Sequence, residues 1–294
     1  MERGAAFIAR WQPRTSPCHY QQSSGNFCNV DPVAFKIGSL TIHWYGVLVA
    51  LGFLIGLWTA SRRGLREGIA PEKIMDIGPW LIVGTIIGAR TLHVISYWDE
   101  EFAGRPWTEV FMVHKGGLVY YGGFIGATLA GIVYLVWKKL PLWKFGDVLA
   151  PSIPLGYVLG RIGCLMNGCC YGRPCDLPWA IRFPKEHSGT QGVPVHPTQL
   201  YDALLSLGLW LLLEWFFRRK RFDGQVFAAY LLGYAVLRSV VEFFRGDYSR
   251  HYLGGWATPA HLVSVGIFAI GLVLIWLLPK GTARPIRPAQ SSAP

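Results

Sequence analysis

The stretch Gly160-Arg161-Ile162-Gly163-Cys164-Leu165-Met166-Asn167-Gly168-Cys169-Cys170-Tyr171-Gly172 closes an apolar run that begins near Val148. The run is about 20 residues long, enough to cross the hydrocarbon of a bilayer. Its one charged residue is Arg161. A charge at that depth is expensive and usually faces a protein interior where an ion, a phosphate or a counter-charge meets it. Working outward, the chain has 294 residues, 52% of them hydrophobic and 15% charged, with mean hydropathy +0.31. Soluble domains carry about 25% charged residues, so the deficit points to lipid as solvent. Thirteen tryptophans and thirteen tyrosines agree, because these residues favour the membrane–water interface.

Seven apolar stretches have spanning length: Leu40–Ala60, Met75–Trp98, Leu118–Trp137, Val148–Met166, Thr198–Phe217, Gly224–Phe244 and Pro259–Leu278. The fourth is the weakest because Pro151, Pro154, Gly156 and Gly160 interrupt it. These stretches predict an all-α integral membrane protein of seven transmembrane helices. With the N-terminus outside, the inner segments carry 14 Lys and Arg against 11 in the longer outer segments. That bias places the C-terminus in the cytoplasm. Residues 1–30 lack a long apolar core, so they read as a mobile extension and not as a cleavable signal peptide. Segments 98–117 and 170–197 read as a small periplasmic head, 31–280 as one catalytic domain, and 281–294 as a cytoplasmic tail. The net charge of +11 is spread over short loops, which suits anionic lipid headgroups and leaves no basic domain for nucleic acid.

In this topology Arg90, Arg161 and Arg238 all fall toward the outer half of the membrane. Like charges at one depth need an anion between them. Glu242, one helical turn after Arg238, and Asp202, early in the fifth span, balance part of that charge, and a lipid phosphate would balance the rest. Guanidinium groups match phosphate oxygens in bidentate geometry.

Further motifs carry a resemblance. They are Asp31-Pro32-Val33-Ala34-Phe35-Lys36-Ile37-Gly38, Ile42-His43-Trp44-Tyr45-Gly46, Gly88-Ala89-Arg90, Gly116-Gly117-Leu118, Gly122-Gly123, Gly160–Gly172, His196-Pro197-Thr198-Gln199-Leu200-Tyr201 and Arg238-Ser239-Val240-Val241-Glu242-Phe243-Phe244-Arg245. In this order, over about residues 31–280, the chain resembles the bacterial phosphatidylglycerol–prolipoprotein diacylglyceryl transferases. The resemblance implies an enzyme of the bacterial inner (plasma) membrane that moves the diacylglyceryl group of phosphatidylglycerol onto the lipobox cysteine thiol in a prolipoprotein signal peptide. Glycerol phosphate leaves, and no cofactor or metal takes part.

On that resemblance Arg161 and Arg238 bind the phosphate and neutralise its developing charge, while Arg90 and Arg245 assist or snorkel. Asn167 hydrogen-bonds the lipid or caps a helix end. His43 and Tyr45 belong to an activity-bearing motif, His196 caps the fifth span or contributes to the site, and Asp202 and Glu242 orient arginines. Gly172, with the other glycines of its stretch, admits close backbone approach.

Two departures stand out. Where many members have a histidine before Gly122-Gly123, this chain has Tyr121, and a phenol with a reference pKa near 10 is a poor base. His93, three residues after Arg90, is the alternative base. Where many members have asparagine and glutamate, this chain has Cys164 and Cys169. Three readings stay open: a disulfide joining Cys169 or Cys170 to Cys175 on an oxidising face, a soft-metal site, or neutral packing. Two further functions also stay open, a catalytically inactive lipid-binding relative and a membrane thiol oxidoreductase.

Overall fold

The structure, a computed structural model, describes residues 32–38, 40–113, 116–184, 190, 192–246 and 258–279. The expected extension 1–30 and tail 281–294 lie outside the described residues. The described residues open with a β-hairpin, β1 (Val33–Ile37) and β2 (Leu40–His43), turned at Gly38 with φ +60°. This corrects the purely α expectation and moves the start of the first helix from Leu40 to Trp44. The nine residues of the two strands are thus tied down by the ladder, and Trp44 N–H donates to Pro32 O at 2.9 Å.

The helices follow as α1 (Trp44–Arg66), α2 (Pro71–Met75), α3 (Ile77–Ser96), α4 (Tyr120–Trp137), α5 (Leu142–Leu149), α6 (Ser152–Asn167), α7 (Thr198–Phe217), α8 (Gln225–Glu242) and α9 (Pro259–Leu277). Six helical segments among the described residues are long and apolar enough to cross a membrane: α1, α2–α3, α4, α5–α6, α7 and α9. The expected sixth span forms α8, which is less apolar because it carries Arg238 and Glu242. The Pro-rich fourth span is two helices broken at Ala150–Pro151, since proline has no N–H for the ladder and clashes with the preceding turn.

α1 packs on α6, α6 on α7, α7 on α8 and α8 on α9, while α3 pairs with α4. Leu54, Val83, Leu129, Leu212 and Val273 point outward along the helices, as suits lipid, which is as apolar as leucine and leaves packing and hydrogen bonds to join helices. The buried apolar core lies at one end, where Leu57, Ala60, Ile74, Ile77, Tyr134, Phe145, Val148, Leu213 and Val226 meet. At that end Asp147 on α5, fully buried, accepts from the backbone N–H of Val226 at 2.9 Å and Phe227 at 3.0 Å. It thereby caps α8 from another helix and meets Lys220 at 3.0 Å.

The α3–α4 contact is made by Gly84 and Gly88 against Gly122 and Gly126, a spacing of four on each helix that lets backbones touch. A Cβ on Gly126 would stand 2.8 Å from Gly88 Cα and closer still to Gly84 O. Gly126→Val therefore forces the pair apart, an overpacking cost of about 1–3 kcal/mol or more. The expected result is a broad or void-volume size-exclusion profile in detergent in place of the sharp wild-type peak; a wild-type profile would remove the pairing from the account.

Candidate active site

The end of the bundle opposite the apolar core is polar. Arg161 lies on the third turn of α6, its side chain 10% exposed, with Nη2 2.8 Å from Asp202 Oδ2 on α7. Tyr157, one turn earlier on α6, accepts from Arg161 Nη2 and donates its hydroxyl to Asp202 Oδ2 at 3.2 Å. Arg161 Nε is buried and makes no hydrogen bond to any described residue, so one donor edge of the guanidinium is left over.

On α8, Arg238 Nη1 lies 2.8 Å from Glu242 Oε2, with the Glu242 side chain fully buried. Glu242 Oε1 accepts from Thr258 Oγ1 at 2.7 Å, and Thr258 in turn meets His261 Nδ1 at 3.0 Å in a capping box at the start of α9. Asp202 lies in electrostatic range of Arg161, Arg238 and Arg245 together. Three guanidinium groups and two carboxylates thus gather at a partly buried site.

The loop after α6 is built into the same end. Gly168 takes the left-handed conformation (φ +67°) that ends α6, with Cys169 N–H donating to Cys164 O at 3.1 Å. Cys170 is left-handed too, at φ +59°, an uncommon state for a residue with a side chain. α7 holds that turn: Gln199 Nε2 donates to Cys169 O and Thr198 Oγ1 to Cys170 O, each at 2.7 Å. Gly172 then runs against His196 and Arg245, donating to His196 O at 2.9 Å, and a Cβ there would stand 2.7 Å from Phe244 O. The backbones of Gly172, His196 and Phe244 thus come close together. S–H donation from Cys164 and Cys169, with Arg161 and Arg245 nearby, holds the Cys170 thiol well below the ordinary thiol range.

Among the remaining expected site residues, Tyr45 packs against Gly163 of α6, whose Cβ would lie 3.2 Å from Tyr45 Cα, and it is in electrostatic range of Arg161 and the cysteines. His43 is exposed on β2 at the start of α1. Asn167 is the exposed last residue of α6. His196 packs on Tyr201 and Phe244, with Nδ1 3.3 Å from the Tyr201 hydroxyl, which accepts from Trp179 Nε1 at 2.8 Å. Tyr121, half exposed at the first turn of α4, makes its ring contact with Tyr120.

Arg90 and His93 are placed elsewhere. Arg90 donates to the carbonyls of Val110 at 2.7 Å, Glu109 at 2.6 Å, Gly116 at 2.9 Å and Gly117 at 3.2 Å, so its guanidinium clamps the loop between α3 and α4. His93 Nε2 sits 3.1 Å from Glu101 Oε2. Both line an open cavity of about 290 Å³ with Phe102, Arg105 and Gly117, at the end of α3 and the loop that follows it. The grouping of Arg90 with Arg161 and Arg238 is corrected accordingly. Among the described residues there is no disulfide: Cys164, Cys169, Cys170 and Cys175 are all thiols, so of the three open readings the pairing with Cys175 is the one the structure does not contain.

Comparison with known proteins agrees with this architecture. Residues 32–277 match the sequence model of the prolipoprotein diacylglyceryl transferases. The chain is similar to proteins named phosphatidylglycerol–prolipoprotein diacylglyceryl transferase from Synechococcus elongatus (35% identical, covering 90% of this chain and 94% of the relative) and Geobacter sulfurreducens (36%, covering 88% and 99%). The relative of that name from Pseudomonas putida is 37% identical, covering 87% and 97%. The matched span contains the Arg161–Asp202 and Arg238–Glu242 pairs and both turns that support them, and the chain belongs to the prolipoprotein diacylglyceryl transferase family.

Proposed function

We infer that this chain transfers the diacylglyceryl group of phosphatidylglycerol to a cysteine thiol of a prolipoprotein. The carrying observation is the convergence of Arg161, Arg238 and Arg245 on Asp202, with a buried Arg161 Nε that no described residue accepts from. In the net reaction a sulfur–carbon bond forms at the glyceryl carbon, the bond from that carbon to a phosphate oxygen breaks, and the thiol proton ends on the glycerol phosphate released. Negative charge grows on the departing phosphate, and fixed guanidinium donors in a water-poor site stabilise it most there. The attacking species is the thiolate.

Arg161 and Arg238 hold the phosphate in this reading, Asp202 and Glu242 fix their guanidinium planes, and Tyr45, His43, Asn167, His196 and Gly172 line the rim. Tyr121 acts as a hydroxyl donor at the mouth. The lipobox cysteine of the signal peptide enters beside the turn at Gly168. The distribution of Lys and Arg supports seven spans with the N-terminus outside the plasma membrane and the site in the outer half, beneath a small head formed by 98–117 and 170–197.

The test uses purified protein in detergent with phosphatidylglycerol labelled in the diacylglyceryl group and a lipobox peptide. The expected result is label on the peptide, dependent on its cysteine, with one glycerol phosphate released per transfer. Folded protein that binds phosphatidylglycerol and yields no labelled peptide would instead be an inactive lipid-binding relative.

A further inference from the structure

Three thiols meet beside Arg161. The Sγ atoms of Cys164, Cys169 and Cys170 all lie within 4.8 Å of one another, and each residue is half-buried. Their sequence spacing alone would not produce this. Cys164 is on the last turns of α6, and the chain must reverse through Gly168 at φ +67° and Cys170 at φ +59° to bring the other two sulfurs back over it. A left-handed cysteine is a costly way to end a helix that already has its glycine cap. Thr198 and Gln199 hold the carbonyls of both cysteines from α7, so the three sulfurs sit on a rigid support.

The dimensions suit one small soft cation. A metal–sulfur bond of about 2.3 Å in a trigonal plane puts the sulfurs about 4 Å apart, so the observed cluster closes on a metal by movements of under about 1 Å. Thiolates select soft ions such as copper(I) and zinc. Structural zinc takes four protein ligands, and among the described residues no fourth histidine, cysteine or carboxylate joins the three. Cys175, the fourth cysteine of the region, is not in the group. Three thiolates on a monovalent ion carry two net negative charges, and Arg161 and Arg245 lie in electrostatic range of Cys170 to offset them.

We propose that Cys164, Cys169 and Cys170 form a three-thiolate site for a single copper(I) ion, next to the anion-binding arginines and separate from the transfer chemistry. The ion ties the left-handed turn to the end of α6, which fixes the backbone that Arg161 shares.

The experiment is anaerobic titration of the reduced, full-length protein in detergent with copper(I), against a colorimetric copper(I) chelator, followed by X-ray absorption at the copper edge. The expected result is one equivalent bound with three sulfur neighbours. Cys169→Ser and Cys170→Ser lose stoichiometric binding and Cys175→Ser keeps it. Cys170→Ser, altered beyond the helix end, carries the test if Cys164→Ser does not fold. Equal copper binding by the wild type and the Cys169→Ser and Cys170→Ser variants would overturn the proposal. So would four-coordinate zinc bound in preference to copper, or a disulfide among the three that forms once reductant is removed and excludes the ion.

Discussion

Replacing Arg161 with alanine lowers diacylglyceryl transfer to a lipobox peptide by about 10²- to 10³-fold, the cost of removing one preorganised donor from a developing oxyanion. The loss falls on the chemical step, because the guanidinium interacts most strongly with the phosphate as its negative charge grows. Saturating phosphatidylglycerol therefore does not rescue the rate. The protein remains folded: Asp202 keeps the Tyr157 hydroxyl and stays in electrostatic range of Arg238 and Arg245, and a carboxyl stranded in a buried site can neutralise itself by taking a proton. Arg238→Ala acts in the same direction, on a group fixed by Glu242 and through it by Thr258 and His261. Wild-type turnover from Arg161→Ala in detergent would remove the arginine from the reaction, since no other described guanidinium is paired to Asp202 at 2.8 Å.

What could be read in the sequence, and what could not, divides along a physical line. Spanning length and the depth of a charge are one-dimensional properties, so six of the expected spans and the pairings of Arg161 and Arg238 with carboxylates were legible. Azimuth around a helix is not. Arg90 has the depth of Arg161, yet its side chain turns to four loop carbonyls, and nothing in Gly88-Ala89-Arg90 says which way it faces. The hairpin at Val33–His43 was hidden because β2 runs without a break into the apolar α1. Other partners had a signal that went unused. Tyr157 is four residues before Arg161, the spacing that stacks side chains on one helix face, and Thr258 with His261 has the three-residue spacing of a capping box. Thr198 and Gln199 stood in a quoted motif, but their hold on Cys169 and Cys170 depends on α7 lying beside α6, a tertiary fact. The cysteines were ambiguous because their spacing suits no common metal motif; only the two left-handed residues bring the sulfurs together.

Asp202 gives the sharper test of the site because its loss has the opposite character. In Asp202→Ala the Arg161 guanidinium stays charged, since it cannot be deprotonated, and it is left buried without its carboxylate. Breaking a buried pair from one side costs about 3–5 kcal/mol, so the variant melts well below the wild type. Removing both charges with Arg161→Met and Asp202→Leu restores most of that stability, because an apolar pair of similar volume replaces a buried ion pair at little net cost; transfer stays as low as in Arg161→Ala because the same phosphate donor is gone. A lipid phosphate can also supply the missing negative charge. Phosphatidylglycerol added to the Asp202→Ala protein in phosphatidylcholine micelles therefore raises its melting temperature more than it raises that of the wild type, and it raises that of the double variant least, where Arg238 is left to hold the phosphate without Arg161. If the double variant gained as much from phosphatidylglycerol as Asp202→Ala does, the lipid phosphate would not be binding at Arg161.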